Sequence, residues 1–307
     1  MENNRIHKKM KITITGASGF VGSNLQQYLK DNCEIEALSI RYIPNQIFNL
    51  KGDAIIHLAG KAHDLKNVSN PSDYYEANFE LTKQLFDVFL VSEVATFIFM
   101  STVKAVADEV EGVLREETTP NPKTHYGIAK QQAESYILSQ NLPLGKRVYI
   151  LRPCMIHGPG NKGNLNLLYQ LVSKGLPWPL GDFKNQRSFL SIENMCFVIK
   201  ELLENDGIPS GIYQVADNEP LSTNDLIQII ALSLDRKSRI LNIPASWIKK
   251  IAQLGDYLSL PLNTERLQKL TENYVVSNHK IIEAIGKALP VSSEEGLLKT
   301  FQSFRHA

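Results

Sequence analysis

Cysteine, long apolar runs and excess charge of either sign are all scarce in this sequence. Its three cysteines, Cys33, Cys154 and Cys196, lie far apart, are odd in number and lack CxxC spacing. That argues against a disulfide framework or a zinc ribbon and for a reducing, cytoplasmic setting. No apolar run approaches the roughly 18 residues of a membrane span, and the polar start, 1–9, lacks the apolar core of a secretory signal. Lys plus Arg number 33 and Asp plus Glu 32, a net of +1. So even a balance gives no electrostatic reason to expect nucleic acid or a membrane as partner. The seven histidines form no HxxxH pair, so no metal site is expected. There is no internal repeat and no low-complexity block.

What is present is an ordinary globular composition, 43% hydrophobic and 21% charged over 307 residues, enough for about two domains. Lys11-Ile-Thr-Ile-Thr15 alternates and is β-branched, which predicts a strand. It runs into Gly16-Ala-Ser-Gly19-Phe-Val-Gly22 and then a helical pattern. Strands are expected at 34–40, 53–60, 96–102, 146–152 and 211–215, and helices at 74–91, 126–139 and 191–206. Alternating strands and helices imply an α/β fold, a doubly wound parallel sheet of the Rossmann type. The texture changes after Gly158, where Gly, Pro and Asn crowd the chain. This divides it into a polar tail (1–10), a dinucleotide-binding domain (11–163, with 191–216 returning to it), and a smaller, partly interleaved C-terminal domain (164–307) for the substrate.

A strand, G-x-x-G-x-x-G and a helix form the context a dinucleotide loop needs. Glycines permit the tight turn and close backbone approach, and the helix N-terminus offers unpaired N–H groups to a pyrophosphate. At the end of the second strand, where an acid would bind the ribose 2′-hydroxyl of NAD, the chain reads Ser39-Ile40-Arg41. Arg41 suits the 2′-phosphate of NADP, tipping the choice from NAD toward NADP. Tyr126-Gly-Ile-Ala-Lys130 is Y-x-x-x-K, and i and i+4 share a helix face. A free phenol, with a pKa of about 10, is too weakly acidic for a base near neutrality, and a nearby ammonium together with a cationic nicotinamide ring would favour phenolate.

Thr15-Gly16-x-x-Gly19-x-x-Gly22 resembles the extended short-chain dehydrogenase/reductase, or epimerase/dehydratase, family. The likeness extends to Thr102 after the buried strand, to Tyr126 and Lys130, to His57-Leu-Ala-Gly60, Asn78, Leu151-Arg-Pro153 and Gly158-Pro-Gly160. It implies a catalytic set of Thr102, Tyr126 and Lys130. It implies a cofactor along Gly16, Ser18, Gly19, Phe20, Val21 and Gly22, passing Leu58, Ala59 and Gly60 and reaching Asn78, Lys130 and Pro153. His57 and His157 are read as packing residues.

On the substrate side, Gln186-Arg187-Ser-Phe-Leu-Ser-Ile-Glu-Asn194 resembles the family segment whose arginine holds a nucleotide diphosphate, which a guanidinium matches with a bidentate fork. Asn164 and Arg266 are further candidates; for Arg266 an ordinary surface role is the simpler reading. Lys104, in Ser-Thr-Val-Lys-Ala, is either a substrate ligand or a solvated lysine. Lys61-Ala-His63, Lys162-Gly-Asn164 and Leu176-Pro-x-Pro-Leu-Gly181 resemble a subgroup of UDP-sugar 4-epimerases and 4-ketoreductases. A 4,6-dehydratase needs an acid pair after the catalytic Thr; Val103-Lys104 stand there. The resemblance thus implies redox at C4 of a nucleotide-diphosphate hexose, most simply UDP-linked. A 4-ketoreductase is slightly favoured over a 4-epimerase with tightly bound NAD; a non-catalytic dinucleotide sensor is the alternative of another class. A homodimer through helices 74–91 and 126–139 is a further implication.

Overall fold

The computed structural model describes residues 9–62, 70–161, 164–258 and 262–306. A six-stranded parallel sheet is built from β1 (Met10–Thr15), β2 (Cys33–Leu38), β3 (Ala54–His57), β4 (Thr96–Met100), β5 (Arg147–Pro153) and β6 (Gly211–Val215), ordered β2-β1-β3-β4-β5-β6. The chain order reverses at β1, and the crevice beside the C-terminal ends of β1 and β3 is where such sheets bind ligands. Helices α1 (Phe20–Leu29) and α4 (Ile192–Glu204) contribute to the apolar cluster on one face. Helices α2 (Leu81–Val91) and α3 (His125–Ser139) contribute to the cluster on the other. A third cluster joins helices Asn164–Ser173, Thr223–Ser233 and Ser293–Ser303 around Trp178 and Phe189.

The alternation in β1 does not mark a half-exposed strand. Ile12 to Thr15 are all buried, because helices cover both faces. Each threonine hydroxyl is therefore paired inside: Thr13 donates to the Lys51 carbonyl at 3.2 Å, and Thr15 meets His57 Nδ1 at 2.7 Å. The helix expected at 74–91 begins at Pro71 and contains a π turn, Glu76–Glu80, leading into α2. The extra residue of a π turn rotates the side chains around it; Asn78 is fully buried within this one.

Beneath α3 lies a charged pair. Arg152 of β5 donates through Nε and Nη2 to the Glu134 carboxylate at 2.5–3.1 Å, and Ser101 donates to the same carboxylate. Both charged side chains are 3% exposed. Removing one partner strands a charge in the interior, at a cost of about 3–5 kcal/mol. Glu134→Ala is therefore expected to lower unfolding stability by that amount, read from urea midpoints. A loss below about 1 kcal/mol, the range of an exposed pair, would show that the pair is solvated.

Candidate active site

Gly16 follows β1 with φ of +67°. A side chain there would sit 2.7 Å from the Ala59 nitrogen, so the loop and the segment after β3 touch backbone to backbone. Gly22 packs against Gly16 and Ala17 just as tightly. Gly19 is different: a Cβ would meet only the Gly16 carbonyl, at 3.2 Å. Ser18 and Gly19 are exposed at the loop tip, and Phe20 and Val21 open α1 half-buried. No side chain caps that helix at Gly19. Its first N–H groups and positive dipole end thus suit a phosphate anion. The cradle fits a dinucleotide: backbone lines it, and a Cβ at Gly16 would collide with its wall.

The wall after β3 is fixed from behind. Ala59 N–H donates to Thr15 Oγ1 at 3.2 Å, and Thr82 Oγ1 donates to the Asn78 carbonyl at 2.9 Å. Between the two hydroxyls His57 makes contacts of 2.7 Å at Nδ1 and 3.0 Å at Nε2. The chain of donors closes if Thr15 donates to Nδ1 and Nε2–H donates to Thr82, a neutral imidazole. Burial, then the Lys130 charge, pushes the His57 pKa down to about 3, in agreement. His57 is more than the packing residue expected: it ties β1, the 58–60 segment and the helix of Asn78 together. An inward threonine beside a strand-end histidine was the signal in the sequence.

Asn78 directs all its recorded bonds at backbone, accepting from Lys61 N–H at 3.1 Å and donating to the Lys61 and Tyr74 carbonyls at 3.0 Å. A Cβ on Gly60 would lie 2.5 Å from Asn78 Oδ1 and 3.3 Å from Lys130 Nζ. Gly60, Asn78 and Lys130 therefore meet. Leu58 and Ala59 are half-buried beside them, and Pro153 ends β5 buried.

Thr102 lies just past β4 with 8% exposure and accepts from Lys104 N–H at 3.2 Å. Tyr126, in the first turn of α3, is half-buried and shares a side-chain hydrogen bond with Thr102. Burial pushes its phenol up to about 12 against the lowering pull of that bond. One turn on, Lys130 donates to the Met100 carbonyl at 2.7 Å, with Nζ 4.6 Å from the centre of the Phe99 ring. Burial depresses its ammonium to about 7, with Glu134 pulling the other way. The lowering expected from Lys130 together with a cationic nicotinamide ring has no counterpart in the protein alone, where burial raises the phenol and the lowering contact is with Thr102. Glu134, a turn beyond Lys130, completes a ladder that the i, i+4 spacing signalled and the sequence reading passed over.

The remaining candidates lie further out. Arg41 is exposed three residues past β2. Lys104 is not the solvated lysine of one reading: Nζ donates to the Asp108 carbonyl at 2.7 Å and sits 4.5 Å from the Tyr274 ring centre. Burial lowers its pKa. Arg187 donates to the Lys269 carbonyl at 2.9 Å and lies 3.6 Å from the Glu272 carboxylate. Arg266 is exposed on the helix Thr264–Thr271, and Asn164 begins the helix Asn164–Ser173. His63, Lys162 and Gly163 lie outside the described residues. Among the described residues no group of His, Cys, Asp and Glu could hold a metal ion, and no helix is long and apolar enough to cross a membrane.

Residues 12–216 match the NAD dependent epimerase/dehydratase family. The chain belongs to that family. It is 29% identical to UDP-glucose 4-epimerase of Vibrio cholerae over 96% of both chains. In fold it is similar to UDP-glucuronic acid 4-epimerase from Bacillus cereus in complex with NAD, at a TM-score of 0.72, 20% identity and coverage of 97% and 99%. It is also similar to RMD from Pseudomonas aeruginosa complexed with NADPH, at 0.69, 22% identity and coverage of 96% and 98%.

Lys130 generates a pH dependence. Its pKa is about 7 folded against 10.5 ordinarily, so between those values the unfolded chain binds more protons. Stability then rises with pH across that window, by up to about 1.4 kcal/mol per unit from this group. Lys130→Met is expected to flatten the rise, measured by urea unfolding from about pH 7.5 to 9.5. An unchanged slope would remove Lys130 as its source.

Proposed function

We propose that this chain is an NAD(P)-dependent oxidoreductase acting at C4 of a nucleotide-diphosphate hexose, most simply UDP-linked. The observation that carries the reading is a chain of contacts past the C-terminal ends of the strands: Tyr126 on Thr102, Lys130 one helical turn on and against Gly60, and Gly16 of the glycine cradle against Leu58 and Ala59. The nicotinamide, when bound, supplies or accepts hydride at the sugar carbon. Thr102 would orient the C4 oxygen and Tyr126 would hold or give its proton. Lys130, against Gly60, would hold the nicotinamide ribose. Gly16, Ser18, Gly19, Phe20, Val21 and Gly22 would receive the pyrophosphate, with Leu58, Ala59, Asn78 and Pro153 shaping the nicotinamide end.

A phenol held near 12 is protonated at neutral pH, ready to give its proton to an oxygen whose carbon receives hydride. Both a 4-ketoreductase and the return step of a 4-epimerase need that proton; the lack of an acid after the second strand, where Ser39-Ile40-Arg41 stand, tilts the reading to the 4-ketoreductase. Likeness to a UDP-glucose 4-epimerase over nearly the whole chain supports the other reading, a 4-epimerase that keeps NAD and returns hydride to the opposite face. Exposed Arg41 at the strand end supports NADP for the reductase. A 4,6-dehydratase is disfavoured, since buried Val103 and the tethered Lys104 follow Thr102 in place of an acid pair. Arg187 would take the diphosphate, exchanging its contact with Glu272, and Lys104, Asn164 and Arg266 are the further substrate candidates. A second copy would dock on α2 and α3. The three unpaired, buried thiols suit a reducing cytoplasm.

Two measurements test this. The purified protein is denatured and any released nucleotide identified: stoichiometric NAD supports the epimerase, whereas an empty protein binding NADPH above NADH supports the reductase. Tyr126→Phe is expected to lower kcat by about 10²–10⁴ with cofactor affinity retained. Undiminished turnover on a UDP-hexose or its 4-keto form would sink the mechanism.

A further inference from the structure

The helix α5 (Ala245–Leu258) buries one face and leaves a second apolar face outside. Ile248 and Ala252 enter the third cluster, and Gly255 abuts the Leu262 carbonyl. Yet Trp247, Ile251, Leu254 and Leu258 are 67%, 48%, 54% and 60% exposed. Their spacing of four, three and four residues sets them in one line along the helix. Tyr257 and Lys250 flank the line on its outer side, both exposed. Leu176 and Leu241 are exposed at its N-terminal end, where the Leu241 N–H donates to the Trp178 carbonyl and Ala245 is capped by Asp182.

Cations predominate along the segment that carries this face. From Arg236 to Gly255 the chain has Arg236, Lys237, Arg239, Lys249 and Lys250 and no carboxylate; all five are exposed. The bounding acids are engaged: Asp235 with Arg305 at 2.8 Å, and Asp256 with the Thr264 N–H at 3.1 Å. The near-zero net charge that argued against a membrane partner is an average over a surface on which cations gather here.

We propose that this face docks the protein on an anionic lipid bilayer. A convex helix with a Trp–Ile–Leu–Leu line, a tyrosine and a lysine at its margin, and cations leading into it has the make-up of an interfacial helix. Such a helix lies in the headgroup plane with its apolar side among the acyl chains. The lysine stem snorkels, burying methylenes while its ammonium reaches phosphate. The surrounding cations decide between this and a protein contact: an anionic headgroup layer pairs with all of them at once. The helix is also tied to the substrate side: α6 (Thr264–Thr271) packs against it, and the Lys269 carbonyl of α6 holds Arg187. Docking sets the Arg187 rim one helix away from the lipid surface.

The test is co-sedimentation of the full chain with vesicles of phosphatidylglycerol and phosphatidylcholine, or of phosphatidylcholine alone, followed in parallel by tryptophan emission. There are two tryptophans; Trp178 is buried with its indole N–H on Asn224, so a blue shift reports Trp247. Binding is expected on the anionic vesicles and at least tenfold weaker on neutral ones. Trp247→Ser with Ile251→Ser and Leu254→Ser is expected to lower the partition at least tenfold. Lys237→Glu with Lys250→Glu is expected to weaken it on anionic vesicles, and both variants to keep the wild-type urea midpoint. Nucleotide affinity, unchanged in both, separates this result from the reaction proposed above. No partition into anionic vesicles, or equal partition by the serine variant, overturns the proposal. So does an oligomer that the serine variant dissolves while the wild type ignores vesicles; that result assigns the face to a protein contact.

Discussion

The buried amine of Lys130 is the constraint around which the candidate site is arranged. An ammonium removed from water is tolerated only where acceptors replace the lost hydration. The Met100 carbonyl, the face of Phe99 and the nearby Glu134 carboxylate do so. Each of these partners is fixed by something else. Met100 and Phe99 belong to β4, whose pairing with β5 is set residue by residue. Glu134 is held by Arg152 and Ser101. Moving α3 by one turn would strand a buried amine and a buried carboxylate together. The register of that helix is therefore strongly specified, and with it the place of Tyr126 beside Thr102.

The opposite wall uses a different device. Between β1, β3 and the helix of Asn78 a file of neutral hydroxyl, imidazole and amide groups runs through the interior, each donor meeting an acceptor. An imidazolium at His57 would lose its acceptor role toward Thr15 and face Lys130, so the low pKa and the donor direction express the same geometry. The file ends at Ala59 N–H and at the Asn78 carbonyl, either side of Gly60. The floor under the cradle is thus held by hydrogen bonds of fixed direction, and the glycines let the backbone come close to it.

Much of this was legible in the sequence. The six strands and the main helices follow from β-branched runs, helical periodicity and their alternation, and the ends moved by three residues at most. Glycine loop, Thr102, Tyr126 and Lys130 could be read because each sits at a fixed distance from a strand end. What escaped was chemistry between elements distant in the chain. Thr15 and His57 are 42 residues apart, and Glu134 and Arg152 are 18 apart; neither separation has a local period. The π turn at Glu76–Glu80 escaped because it leaves the helical pattern almost intact. The direction of the Tyr126 shift in the protein alone escaped because i, i+4 spacing reports a shared helix face and says nothing of desolvation, which raises the phenol.

The same contrast between local and averaged quantities decides how the site titrates. His57 is neutral throughout the physiological range because burial holds its pKa near 3, and Tyr126 is protonated throughout because burial holds it near 12. Lys130, drawn to about 7, is the member of these three whose charge changes near neutrality. A free lysine would be the least responsive of the three there, and a free histidine the most. Burial has exchanged their roles. Proton inventory near neutrality is then set by one amine, whose partners are the Met100 carbonyl, the Phe99 ring and the nearby Glu134 carboxylate.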